Sequence, residues 1–282
     1  DGTDHPEALR YTHRNPDGAY RSSGRLDPYN LLMESYTGFA EVYDTFMDNV
    51  PYREWAQYIR KLLEREGIDS GLVLDLGCGT GSMTEELASY GYDMIGVDNS
   101  EEMLEIAMNK KEKSGHDILY LLQDMRQFEL YGTVKAIVSV CDCINYITEE
   151  DELEQIFRLV NNYLDPGGIF IFDFNTEYKY KEILRDETIA EEREECSFIW
   201  ENYYDEAEGL NEYALTLFVQ EKGDLYRKYQ EIHLQRAYTL EEMKARIEKS
   251  GMKFVAAYDS YTEQAPTKES ERICMMAREC GK

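Results

Sequence analysis

Basic side chains are scarce in this chain: 30 lysines and arginines stand against 57 aspartates and glutamates, a net charge of −27. Such a field repels phosphate backbones and anionic lipid, which argues against nucleic acid or a membrane surface as the main partner. Long apolar runs are missing too. No stretch of 18 apolar residues occurs, so no membrane-spanning helix is expected. The opening DGTDHPEALRYTHRNPDG lacks the apolar core of a secretory signal, so none is expected. Histidine is limited to four residues, and Cys78, Cys141, Cys143, Cys196, Cys274 and Cys280 form no CxxC pair. A zinc cluster needs soft ligands at short spacing, so no metal site is expected. Cysteines scattered through apolar stretches read as small buried hydrophobes of a reducing, cytoplasmic protein. No internal repeat is visible.

What is present is enough to fold. At about 150 residues per domain, the 282 residues make two domains, or one α/β domain with an insertion. A hydrophobic fraction of 43%, with 12% aromatics, excludes global disorder. Residues 1–29 show no period and read as an irregular arm. Tyr36, Phe39, Ala40, Tyr43, Phe46 and Met47 then fall at helical spacing, and Pro51 opens a second helix that Gly67 ends. From Leu72, short apolar runs alternate with amphipathic segments. Strands are expected at 72–76, 93–97, 118–122, 136–140 and 169–174, with helices near 82–90, 100–114, 127–130 and 148–164. Thr148 and Thr239 read as N-caps, and Thr239 with Glu242 as a capping box.

Nearly continuous Val/Ile/Leu strands are buried on both faces, which calls for a doubly wound, mostly parallel sheet wrapped by helices. After Asn175 the alternation stops. A helical stretch at 176–186 leads to three segments, 196–204, 210–220 and 225–236, separated by short turn clusters and read as an antiparallel three-stranded meander. A helix over 240–250 and a hairpin of strands 253–258 and 272–277 complete a seven-stranded sheet. The expected division is therefore an arm (1–29), a core domain (30–175 and 237–282) and an inserted β subdomain (176–236). The acidic run 186–195 reads as a solvated face, and His233 as a surface or strand residue, with a catalytic base as the alternative.

The stretch Val73-Leu74-Asp75-Leu76-Gly77-Cys78-Gly79-Thr80-Gly81 carries the chemistry. A buried strand runs into a glycine-rich turn that opens a helix, leaving N–H groups free for an acceptor. Asp75 lies at the strand end, and Asp98 ends the next strand 21 residues after Gly77, where a ribose-binding acid belongs. A dinucleotide brings a pyrophosphate, which favours G-x-G-x-x-G and is repelled by an adjacent carboxylate. Here the third glycine comes one residue early and Asp75 lies beside the turn. S-Adenosylmethionine, with its ammonium, sulfonium and single carboxylate, suits this mixture of acids and donors better.

These residues carry a family resemblance. VLDLGCGTG followed by GVD resembles the first two motifs of class I S-adenosylmethionine-dependent methyltransferases. The resemblance continues through Gln123-Asp124-Met125, Ala136–Val140 and Tyr163-Leu164-Asp165-Pro166-Gly167-Gly168, covering about residues 36–175. It implies that fold, with S-adenosylmethionine as cofactor and S-adenosylhomocysteine as product. Asp75, Gly77, Cys78 and Gly79 would surround the methionine half, and Asp98 would accept the ribose hydroxyls. Asn99 and Met103 would lie beside the adenosine, Asp124 would accept from the adenine amino group, and Met125 would pack on the ring. Cys141 would border the sulfonium, while Tyr36 and Tyr43 would close over cofactor and substrate.

Residues 141–146 (CDCINY) match neither the N-P-P-Y of amino-group methylators nor a metal-binding catechol pattern, so the acceptor stays open among N, O and C nucleophiles of a small molecule. Asp142 and Tyr146 are the candidates for positioning or deprotonating it, and Tyr43 for holding it. Phe198, Trp200, Tyr204 and Tyr213 would make the insertion a roof over the pocket; a homodimer interface is the alternative. A binding protein without transferase activity and an NAD(P)-dependent oxidoreductase are the competing functions.

Overall fold

The computed structural model describes residues 40–48, 50–193 and 196–282; the arm at 1–29 and Tyr36 lie outside them. The chain order is α1 Ala40–Phe46, α2 Tyr52–Arg65, β1 Gly71–Leu76, α3 Ser82–Ser89, β2 Tyr92–Asp98, α4 Glu101–Ser114 and β3 Leu119–Leu122. Then come β4 Val134–Ser139, a 3-10 turn Cys143–Tyr146, α5 Glu150–Tyr163, β5 Leu164–Asn175 and a π-helical turn Lys179–Leu184. The remainder is β6 Thr188–Glu192, β7 Cys196–Asp205, β8 Leu210–Lys222, β9 Leu225–Arg236, α6 Leu240–Lys249, β10 Lys253–Asp259 and β11 Arg272–Arg278. None of the helices among the described residues is long and apolar enough to cross a membrane.

The main sheet has seven strands in the order β10-β11-β5-β4-β1-β2-β3, and β11 alone runs against its neighbours. Period-two alternation divides the core. Leu74, Leu76, Ile137, Phe170, Phe172 and Phe174 point to the α5–α6 side, whereas Val73, Ala136, Val138, Ile169 and Ile171 point to the α2–α3 side. Strand order reverses at β1, which pairs β2 on one side and β4 on the other. That reversal opens a crevice at the strands' carboxyl ends.

The insertion differs from expectation. It is a four-stranded antiparallel sheet, β6-β7-β8-β9, because part of the acidic run 186–195 forms β6 and pairs with β7. An edge strand needs a partner on one side only, so its acids stay in water; Arg193, just beyond it, holds Asp48 with both Nη atoms at 2.9 and 3.0 Å.

Two smaller expectations also fail. No helix forms at 127–130, because the Gln123 amide bonds both the N–H (2.7 Å) and the carbonyl (3.2 Å) of Glu129 and draws the backbone out of helical geometry. Thr148 is not an N-cap; Glu149 takes that position without a side-chain bond. Thr239 does cap α6, with the full reciprocal box to Glu242.

Candidate functional site

The glycine turn after β1 depends on conformations that side chains resist. Gly77 has φ 83° and Gly81 φ 76°, and a Cβ on Gly77 would sit 2.8 Å from Cys143 Sγ. The turn is fixed by the N–H groups of Gly77 and Cys78, which donate to the Val97 carbonyl at 2.8 and 2.9 Å. Asp75 is 1% exposed and accepts from Thr84 Oγ1 at 2.6 Å. Burial pushes its carboxyl up to about 7, the Thr84 bond opposes the rise, and the neighbouring Asp98 charge adds to it.

Asp98 accepts the Gly79 N–H at 2.8 Å and the Ser100 N–H at 2.9 Å. Burial raises its carboxyl as well, against those two N–H groups. Asp98 does not cap α4: Ser100 Oγ does, accepting the Met103 N–H at 3.2 Å. That leaves the acid to face the crevice and places Met103 on its wall.

These groups open into one cavity of about 990 Å³, its solvent-open mouth included. Asp75, Gly77, Cys78, Gly79, Asp98 and Asn99 line it, as do Met103, Asp124, Met125, Cys141, Tyr43 and Tyr146. Of the expected site residues within the described chain, Asp142 alone is not on its wall. Both Asp142 oxygens are committed, to Arg272 Nη2 at 2.7 Å and to Gln235 Nε2 at 2.7 Å. Charge-assisted bonds of this kind tie the loop after β4 to β9 and β11.

The loop after β4 shows what is braced. Cys141 and Asp142 both hold positive φ (61° and 54°) without being glycine. Fully buried Asp173 clamps them, accepting the N–H of Cys141 at 3.0 Å and of Asp142 at 2.7 Å. Arg272 Nη1 reaches the same carboxylate at 2.9 Å, and the Tyr261 hydroxyl donates to it. The Arg272 guanidinium lies 5.6 Å from the Trp55 ring. Neither Asp173 nor Arg272 was visible as a site residue in the sequence, because their strands, β5 and β11, read only as core.

Arg126 was missed for a different reason: it lies in a loop, two residues past the acid it serves. Its Nε bonds both Asp124 oxygens at 3.0 Å, and Nη1 reaches Glu152 at 3.1 Å. Asp124 therefore meets any ligand with its charge already balanced. Tyr52, also unforeseen, lines the cavity and hydrogen-bonds Tyr43 and Cys141. Burial, with Cys141 next, raises both phenols well above their ordinary range. Burial likewise raises Cys78, Cys141 and Cys143, so the cavity presents neutral phenols and thiols rather than phenolates and thiolates. The sheath helix α1 is fastened over this wall, Asp44 accepting from Thr80 Oγ1 at 2.7 Å and pairing with Lys110 at 2.6 Å.

The inserted sheet meets the site differently from expectation. Phe198, Trp200, Tyr204 and Tyr213 are not on the cavity wall. Phe198 packs against Phe46 of α1 (centroids 4.7 Å apart), Trp200 against Tyr213 (4.8 Å) and Tyr204 against Tyr180 (6.0 Å), so these rings pack within the insertion and against α1. His233, expected as a surface or strand residue, does lie on a strand, β9, but is 4% exposed; its Nδ1 lies 3.4 Å from the Tyr146 hydroxyl and its Nε2 3.1 Å from Glu231. Sequence alone could not show it, since β9 alternates and either face was available.

The lining suits S-adenosylmethionine: buried acids for positive groups and ribose hydroxyls, and Met103 and Met125 for an adenine ring. The N–H groups of Gly77, Cys78, Gly79 and Gly81, expected to be free for an acceptor, are instead taken by the Val97 carbonyl, Asp98 and the Cys78 carbonyl. Comparison with known proteins agrees. A family model described as a methyltransferase domain matches residues 73–168. A putative methyltransferase, YqeM, of Bacillus subtilis strain 168 is 34% identical over 244 residues, covering 86% of this chain and 96% of that protein. The crystal structure of an S-adenosylmethionine-dependent methyltransferase from Clostridium acetobutylicum superposes with a TM-score of 0.80 at 30% identity, covering 87% of this chain and 99% of the other. More distantly, an amino-sugar N,N-dimethyltransferase of Streptomyces venezuelae (its name gives a dTDP-linked 3-amino-trideoxyglucose) is 29% identical over 48% of this chain and 56% of its own length.

Proposed function

Because this chain belongs to the class I S-adenosylmethionine-dependent methyltransferases, we propose that it methylates an N, O or C nucleophile of a small molecule, with nitrogen favoured. The reading is carried by one observation: a single cavity joins the glycine turn, Asp75 and Asp98 to the phenols of Tyr43, Tyr52 and Tyr146. The cofactor supplies an electrophilic methyl on a sulfonium. The chain's task is then to hold a nucleophile in line and exclude water, and such orientation is worth roughly 7–11 kcal/mol.

Asp75 and the turn residues Gly77, Cys78 and Gly79 serve the methionine half, and Asp98 the ribose hydroxyls. Asn99, Met103, Asp124 and Met125 would hold the adenosine, and Cys141 would border the sulfonium. Cys78, Cys141 and Cys143, kept protonated, do not compete for the methyl. Tyr43 and Tyr146 face the acceptor, and Asp142 braces the loop that carries Tyr146. Residues 176–236 act as the specificity element through β9 rather than through their aromatic core. The amino-sugar N,N-dimethyltransferase among the relatives favours nitrogen as the accepting atom.

Asp98→Ala is the test of the cofactor half. Loss of a charge-assisted hydrogen bond costs about 1.5–3 kcal/mol, so titration calorimetry with S-adenosylhomocysteine is expected to show Kd raised roughly 10- to 150-fold. An unchanged Kd in a folded variant refutes the ribose assignment.

A further inference from the structure

We infer that Glu231, His233 and Tyr146 form a proton path from the acceptor, and that the acceptor is an amine bound as its ammonium ion. The inference rests on the methyltransferase reading and goes beyond it. Tyr146 lines the cavity from the 3-10 turn. Behind it the His233 ring meets the Tyr146 ring edge-on, centroids 5.9 Å apart, with Nδ1 3.4 Å from the hydroxyl. On the far side Nε2 lies 3.1 Å from Glu231 Oε2, and both side chains of this pair are nearly fully buried, at 4% and 5% exposure. A buried carboxylate on one ring nitrogen fixes the tautomer: Nε2 carries the hydrogen and donates to Glu231, leaving Nδ1 to accept from Tyr146. This is the orientation of a carboxylate-supported base, built on the inserted sheet and delivered to the cavity through one phenol.

The same wall selects a cation. Tyr43, Tyr52 and Tyr146 bring three rings to the cavity wall, and burial keeps the Tyr43 and Tyr52 hydroxyls neutral; an aromatic lining attracts an ammonium ion. Glu231 and Asp142 stand behind it, and Asp142 is balanced by Arg272. An ammonium nitrogen has no lone pair, so it must lose a proton before it can be methylated.

In the proposed step one N–H proton passes to Tyr146 Oη as the phenol's own proton moves to His233 Nδ1. The freed nitrogen lone pair forms the N–C bond while the methyl's bond to sulfur breaks, its electron pair staying on the sulfur of S-adenosylhomocysteine. The methylated amine leaves as a cation, and the His233 imidazolium, held by Glu231, returns its proton to solvent. Tyr146 is the catalytic residue; His233 and Glu231 act through it.

Two measurements test this. Nitrogen-15 NMR of histidine-labelled protein, read with and without S-adenosylhomocysteine, is expected to show His233 as the neutral Nε2–H tautomer, a preference lost in Glu231→Gln. A dominant Nδ1–H tautomer overturns the path, since Nδ1 would then have no lone pair for the phenol. The second is transfer of tritiated methyl to a panel of small primary amines and the matching alcohols and thiols.

Labelling of amines is expected. His233→Asn should lower kcat at pH 7 by about 100-fold with KM changed less than threefold, in the range for a lost base. The deficit should close as pH rises through the amine's own pKa, because a neutral amine arrives needing no base. The titratable groups facing His233 include Glu231 on its own strand, Tyr213 opposite it on β8 and Tyr146 on the 3-10 turn; Tyr213, raised mainly by burial, stays neutral throughout this range. A deficit equal at every pH, or labelling confined to alcohols or thiols, sinks the inference. No labelling at all with S-adenosylhomocysteine still bound also sinks it, whereas failure to bind that compound sinks the methyltransferase reading instead.

Discussion

Arg272→Met is expected to cost about 3–5 kcal/mol of folding stability, the usual penalty for removing one partner of a buried ion pair. The guanidinium is shared between Asp173 at 2.9 Å and Asp142 at 2.7 Å, with side-chain exposures of 13% for the arginine and 0% for Asp173. Methionine keeps much of the stem's length but removes the guanidinium, with its contact over the Trp55 ring, and leaves the buried Asp173 carboxylate without its cation. At about 2–4 °C per kcal/mol for a chain of this size, the midpoint should fall on the order of 10 °C by calorimetry. The damage is also local, because Asp173 holds the strained backbone at Cys141 and Asp142; cofactor affinity should weaken along with stability. A loss below about 1 kcal/mol would place the pair among solvent-screened surface bridges, and the brace would have no energetic basis.

The second large effect is a pH dependence, and its sign is unusual for an aspartate. Burial lifts Asp75 from its ordinary 3.8 to about 7, so between those values the native state holds a proton that the unfolded chain has lost. The stabilising contribution is complete below the unfolded pKa and fades as pH rises through the folded one. At about 1.4 kcal/mol per pH unit, the wild type should lose about 2–3 kcal/mol from this group between pH 5 and pH 8. Asp75→Asn cannot ionise, and its carbonyl still accepts from Thr84. The variant should therefore gain on the wild type by that amount over the same interval, measured by urea unfolding at several pH values. Any fixed cost of burying the amide cancels in the comparison. Parallel stability curves for the two proteins would mean that Asp75 is ionised in the native state across the whole interval.

The legibility of this molecule follows from the range of the interactions involved. The strands β1, β2, β4 and β5 were readable because two-sided burial writes itself as unbroken apolar runs, and the glycine turn because positive φ and close approach restrict the residue type. Asp75 and Asp98 could be placed for the same local reason: each ends a strand beside that turn. Asp142 was found as a residue of interest, yet its role changed once Arg272, distant in sequence, was seen to share its carboxylate. The extra strand β6 was hidden because an edge strand tolerates charge, which removes the apolar signature.

The seven strands of the core sheet, its doubly wound arrangement and the glycine turn after β1 were thus legible in the sequence alone, since each depends on periodicity or backbone freedom within a few neighbouring residues. The pairing of Asp173 with Arg272, the bridging of Asp124 and Glu152 by Arg126, and the line from Glu231 through His233 to Tyr146 were decided only in three dimensions. A charged or polar side chain acquires its chemistry from the partner it meets. In this chain the partners of Asp142 and Tyr146 come from strands about 90 or more residues further along, beyond the reach of any local pattern.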